Sequence, residues 1–229
     1  MTLRKLLSRL YGRGGMRLGR ISRQRPLSAD FGYSRGTPVD RYYIDQFLRQ
    51  HVADIRGHVL EVGDATYSQR FGGERISKQH VLHVDAGNAG ATIVGDLSAG
   101  GVLPKAAFDC IILTQTLHLV FQLEAAVRHL RDSLRPGGVL LVTVPGVSSV
   151  DRGEWGSRWY WSMTESALTR LLGSAFDASA ISSAIYGNLF AATAFLHGAA
   201  LEETGTARLH PADPAYPVIV AARASATSA

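Results

Sequence analysis

Apolar residues follow two rhythms along the chain. At Val39, Tyr42, Tyr43, Phe47, Leu48 and Val52 they recur near the helical period, with Pro38 as an early helical residue behind a Thr37 cap. Four short, almost unbroken apolar runs follow: 58–62 (HVLEV), 80–84 (HVLHV), 91–94 (ATIV) and 108–114 (FDCIILT), separated by Gly, Asn, Asp and Ser. These predict buried strands. Over 122–134 the helical period returns, with Leu123, Ala126, Val127, Leu130 and Leu134 on one side, charges opposite and RPGG at the end. A fifth strand is predicted at 139–145, a helix at 164–176 that starts at Thr164, an apolar helix over 188–203, and strands at 178–187 and 216–224.

Strands of this kind alternating with helices imply an α/β, Rossmann-like doubly wound sheet with both faces covered. Ligands in such sheets bind at the carboxyl ends of the strands. Between Pro145 and the helix at 164 runs a segment too long for a simple connection, GVSSVDRGEWGSRWYWS. Its Trp155, Trp159, Tyr160 and Trp161 suit either a lid over a sugar or aromatic acceptor or a hydrophobic flap on the sheet.

Length and composition allow one core: 229 residues, 46% of them hydrophobic. No apolar run reaches the roughly 18–20 residues that span a bilayer, and the start lacks a secretory signal pattern, so a cytoplasmic protein is expected. The single cysteine, Cys110, sits in an apolar run and reads as a small core residue. The net charge of +5 is unevenly spread: eight basic residues, from Arg4 to Arg25, precede the first acid, Asp30. The expected organisation is a basic arm (1–30), a single domain (31–224) and a short tail (225–229). With Leu3, Leu6, Leu7 and Leu10 at helical spacing, residues 1–25 suit contact with an anionic membrane or a protein partner, or else form a solvated arm. No nucleic-acid motif accompanies the charge, and no nucleic-acid partner is expected. The sequence does not fix an oligomeric state.

The strand ends carry carboxylates. Glu61, Gly63 and Asp64 close the first, Asp85 the second, Asp96 and Leu97 follow the third, and Thr114, Gln115 and Thr116 follow the fourth. Without lysine or arginine among them, this ring suits a cationic, hydroxyl-rich ligand better than a pyrophosphate. It resembles class I S-adenosylmethionine-dependent methyltransferases. The resemblance covers residues 57–145, including FDCIILTQTLHLV and LEAAVRHLRDSLRPGGVLLVTVP. It implies S-adenosyl-L-methionine as cofactor, an antiparallel last strand, ribose on Asp85 and adenine near Asp96 and Leu97. The acid-x-Gly-x-Gly-x-Gly pattern maps onto Glu61, Gly63, Ala65 and Tyr67, so only the first glycine is kept. Tyr67 needs room that the usual loop lacks, which predicts a different loop path. RGTPVDRYYIDQFL and YGNLFAATAFLHG look like a bacterial subgroup found beside glycan-modifying enzymes, implying Arg35, Gly36, Asp40, Arg41 and Tyr42 in a lid or cofactor wall.

Methyl transfer to a small-molecule or sugar acceptor, at oxygen or nitrogen, is the expected activity. His118 is the candidate general base, and turnover should then rise with pH through an imidazole pKa; the other reading packs it in a turn on the sheet. No metal-binding cluster is expected. The rival reading is a cofactor-binding fold used for other chemistry or as a non-catalytic partner. A nicotinamide enzyme is disfavoured by the missing glycines.

Overall fold

The computed structural model describes residues 24–227; the arm up to residue 23 and the last two residues lie outside them. Seven strands form one sheet: β1 (Gly57–Val62), β2 (Ile76–His83), β3 (Ile93–Val94), β4 (Phe108–Thr114), β5 (Leu134–Pro145), β6 (Ile181–Tyr186) and β7 (Ile219–Ser225). Their order is β3-β2-β1-β4-β5-β7-β6. The first five run parallel, and β7 is antiparallel to both neighbours. Strand order reverses between β1 and β4, so their carboxyl ends open a crevice.

Alternation along the strands sorts the side chains into two cores. On one face Leu60, Ile111, Leu113, Leu140 and Val142 pack against α2 (Leu123–Ser133) and α3 (Glu165–Leu172). On the other, Val59, Cys110, Ile112, Leu141 and Ile219 pack against α1 (Val39–Gln50) and α4 (Leu189–Leu196). Cys110 is fully buried, and burial pushes its thiol far up, as a core role requires. The Thr164 hydroxyl caps α3, accepting from Ala167 N–H at 3.2 Å. Pro38, not Thr37, is the cap residue of α1; the Thr37 hydroxyl instead donates to Glu202 at 2.8 Å.

Three expectations are corrected. Helices do not alternate with strands in the first half: a π-helical turn at Ser68–Gly72 and a 3₁₀ turn at Gly73–Arg75 join β1 to β2. β5 starts at Leu134, because RPGG leaves the helix as an irregularity in the β4–β5 register instead of a loop. The predicted helix over 188–203 breaks into α4 and a single turn, α5 (Leu201–Thr204). Gly198 makes the break with φ +66°, a conformation costly for residues with a Cβ.

The break lets the chain start cross over the end of α4. Leu27 and Ser28 N–H both donate to His197 C=O, at 2.7 and 3.3 Å, and a Cβ on Gly198 would lie 2.3 Å from the Ser28 carbonyl oxygen. Gly198→Ala should therefore lower unfolding free energy by about 1–3 kcal/mol through strain and displacement of this strap. Urea denaturation checks this; an unchanged midpoint overturns the close approach.

Candidate functional site

A cavity of about 540 Å³ lies over the carboxyl ends of the strands. Its wall takes Glu61, Gly63 and Asp64 after β1, His83 and Val84 at the end of β2, and Asp96 and Leu97 after β3. Gln115 and His118 close it after β4. Seven of the predicted site residues therefore converge. Ala65, Asp85, Arg35 and Tyr42 are not in the wall. Asp85 follows Val84 directly and is exposed, with one carboxylate oxygen accepting from Gly87 N–H at 2.8 Å. Arg35 is paired with Glu203, and Tyr42 hydrogen-bonds His210 at 3.0 Å, so these two stabilise the packing around α1. Their neighbours Asp40 and Arg41 do face the cavity.

Glu61 is only 2% exposed. Its two oxygens accept the backbone N–H groups of Tyr67 and Ser68, at 3.1 and 2.7 Å, and so anchor the π-helical turn. Burial raises its pKa, against the pull of the Ser68 hydrogen bonds. Gly63, at φ +102°, has open space where a Cβ would point, so the backbone conformation is what selects glycine there. Asp64 then turns the chain by accepting from Thr66 N–H at 2.7 Å. Tyr67 stacks on Phe71, and its hydroxyl accepts from the Arg41 guanidinium at 3.4 Å. Tyr67 is thus a wall residue tied to α1.

Arg41 is held between Tyr67, the ring face of Tyr33 at 5.8 Å and the Asp40 carboxylate at 3.6 Å. That last distance is beyond a hydrogen bond, and Arg41 Nε is buried without a partner. Burial raises the Asp40 carboxyl above the usual range, with Arg41 pulling the other way. Asp96 is held low by Ser98, whose N–H and hydroxyl both donate to it.

Gln115 sits in a strained conformation, φ +46°, and its carboxamide nitrogen is buried and unpartnered. His118 is 1% exposed, and neither ring nitrogen has a hydrogen-bond partner. Its ring meets Trp159 edge-on at 4.3 Å. Burial, helped by the nearby Arg41 charge, pushes His118 down to about 3. The expected titration near neutral pH is therefore corrected: the imidazole is neutral throughout the physiological range because its cation is desolvated.

The aromatic segment after Pro145 divides. Trp155 and Trp159 enter the wall, whereas Trp161 donates from Nε1 to Val120 C=O at 3.0 Å and, like Tyr160, packs on Phe121. Phe31 and Phe195 complete an aromatic cluster, with Phe31 stacked on Trp159 at 5.6 Å and on Phe195 at 6.0 Å. Sequence reasoning missed Phe31 and Arg158; Phe31 adopts φ +61°, which no local signal announces. Among the described residues, no group of three or more His, Cys, Asp or Glu is placed to hold a metal ion.

A parallel sheet ending in an antiparallel hairpin, with an acid-ringed crevice at the reversal of strand order, defines the class I methyltransferase fold. Residues 25–185 match the methyltransferase-domain family Methyltransf_23, and the chain belongs to that family. No curated protein matches it by sequence. Among solved structures it is similar to an S-adenosylmethionine-dependent methyltransferase from Mesorhizobium loti (15% identity, TM-score 0.54, covering 82% of this chain and 99% of that one). It is also similar to the N-methyltransferase NodS from Bradyrhizobium japonicum in complex with S-adenosyl-L-homocysteine (16%, 0.53, 90% and 93%). A third likeness is the [4+2]-cyclase SpnF (16%, 0.54, 82% and 81%).

The cofactor is S-adenosyl-L-methionine, and the wall fits it. The cavity has the volume of a small-molecule site, carboxylates face it, Leu97 and Val84 offer apolar surface, and the unpartnered Arg41 Nε and Gln115 Nε2 await acceptors.

The sign of the His118 shift gives a stability prediction. Below its ordinary value of 6.5 the unfolded chain takes up a proton that the folded chain refuses until about pH 3, so stability falls as pH drops through this window. The loss from this residue should reach about 1.4 kcal/mol by pH 5.5. His118→Phe should lack that component when melting is followed from pH 8 to 5; identical pH slopes for the two proteins overturn it.

Proposed function

We propose that the chain methylates an oxygen or nitrogen of a small-molecule or sugar acceptor. The carrying observation is His118: a neutral imidazole with two free nitrogens, against Trp159, in the same cavity as the strand-end carboxylates. When bound, S-adenosyl-L-methionine supplies an electrophilic methyl group. Glu61 and Asp64 would face its methionine part, Arg41 its carboxylate, Asp85 the ribose, and Asp96 with Leu97 the adenine. Asp85 stands at the end of β2 with one carboxylate oxygen uncommitted, which supports the ribose role.

The acceptor would sit in the cluster of Phe31, Trp159 and Phe195, whose flat faces suit a sugar ring or an aromatic ring. A neutral His118 accepts a hydrogen bond from the acceptor hydroxyl or amine and orients its lone pair. Orientation of this kind contributes through proximity and not through a neutral-pH titration.

The likeness to the [4+2]-cyclase SpnF supports a second reading, in which the cofactor is held and no methyl group moves. A desolvated His118 is too weak a base to strip a hydroxyl, which fits that reading.

Two measurements test the proposal. Asp85→Ala should weaken S-adenosylhomocysteine binding by roughly ten- to a hundredfold in calorimetric titration, from two lost ribose hydrogen bonds. Unchanged affinity removes Asp85 from the site. With methyl-labelled cofactor and a panel of sugar and aromatic acceptors, His118→Ala should lower kcat by about ten- to a hundredfold with cofactor affinity kept within a few-fold. The wild-type rate should not rise through an imidazole pKa between pH 6 and 8, roughly the range in which an unperturbed imidazole titrates. Label that never leaves the cofactor while it binds tightly supports the second reading.

A further inference from the structure

We propose that the outer face of α4, together with the basic arm that leads into it, seats the protein on an anionic lipid surface. α4, LFAATAFL, is apolar all round, yet it lies on the outside of the sheet. Its inner side, Ala191, Ala192 and Phe195, is buried, while Leu189 and Leu196 stand 57% and 42% exposed. These two, with Thr193 between them, follow i, i+4, i+7 spacing and form one ridge. Among the described residues, nothing covers the outer side of Leu189 and Leu196.

Two observations select the occupant. The strap that bonds to His197 C=O brings Leu27, itself 41% exposed, to the end of this helix. The chain before it carries eight basic residues and no acid, with leucines at helical spacing. At the other end of the ridge, the Arg208 guanidinium lies 3.7 Å over the Phe190 ring. Leucines flanked by cations are the composition of an interfacial anchor: the apolar groups enter the acyl boundary and the cations meet anionic headgroups. Of the acids around it, Glu202 and Glu203 are engaged by Thr37 and Arg35, and Asp30 on the strap accepts from Gly32 and Ser34 N–H. A nucleic acid would use the cations and leave the leucines without a function. Among the described residues no helix is long and apolar enough to cross a membrane, so the contact is peripheral.

The test is co-sedimentation of the full chain with vesicles of phosphatidylcholine containing about one-third phosphatidylserine, against pure phosphatidylcholine. Partitioning should be at least about tenfold stronger on the anionic vesicles, each basic residue near the surface contributing roughly fivefold. It should collapse in about 1 M salt, where the Debye length shrinks to about 3 Å. Leu189→Ser with Leu196→Ser should cut partitioning about tenfold while S-adenosylhomocysteine affinity is unchanged, which shows the variant folded. Arg9→Glu with Arg13→Glu should do the same. Equal binding to neutral vesicles, no loss in the leucine variant, or tighter binding to a DNA duplex than to anionic vesicles each overturns the proposal. So does an absence of vesicle binding, which would leave the ridge to the chain's own arm or to a protein.

Discussion

A carboxylate removed from water must find hydrogen-bond donors or give up its charge, and Glu61 meets that constraint at the turn that follows its own strand. By accepting from Tyr67 and Ser68 it fixes where the π-helical turn begins. That start sets Tyr67 over Phe71 and under Arg41, which in turn draws α1 toward the crevice. The usual glycine-rich path needs bare backbone because the ligand approaches it closely. Here Gly63 alone supplies bare backbone, with open space before it, and the rest of the turn is held by side chains. Tyr67, Phe71 and Arg41 at this end of the cavity are thus arranged around one buried acid.

The other end of the cavity is shaped by backbone ties across the aromatic segment. Tyr160 N–H donates to His118 C=O at 3.1 Å, and Met163 N–H to Pro145 C=O at 2.9 Å. The turn that carries His118 and the segment that carries Trp159 are therefore tied through their backbones. Their rings meet because their backbones are joined, and the dry pocket this creates is what strips His118 of its proton.

How much of this was legible in the sequence depends on range. β1, β4 and β5 are flanked by sheet on both edges and packed on both faces, so their residues read as unbroken apolar runs. The first half of β2, Ile76–Gln79, is only partly covered, and its Ser-Lys-Gln composition gave no strand signal. β3 has two residues, too few for any pattern. Glu61, Gly63, Asp64, Asp96, Leu97, Gln115 and His118 were found because a strand end is a local feature. Phe31, Arg158 and Phe195 reach the cavity from the strap, the aromatic segment and α4, and only tertiary packing brings those three together. Arg35 and Tyr42 bond Glu203 and His210 and do not line the cavity, because the side chains they meet lie far along the chain.

Charge connects the two ends. Six carboxylates face the cavity, from Asp30, Asp40, Glu61, Asp64, Asp96 and Asp151, against the guanidinium groups of Arg41 and Arg158. Serine and backbone donors hold Asp30 and Asp96 below the usual carboxylate range, so these two stay ionised in the folded protein. On the proposed reading, methyl transfer moves positive charge from the cofactor sulfonium to the acceptor atom, and ionised acids on the wall favour the cationic product where they lie nearer the acceptor than the sulfur. A carboxylate or phosphate acceptor would meet the same wall as repulsion. On the proposed reading, the strand-end acids thus discriminate against anionic acceptors, and the neutral His118 is consistent with this, because it adds no second cation where charge develops.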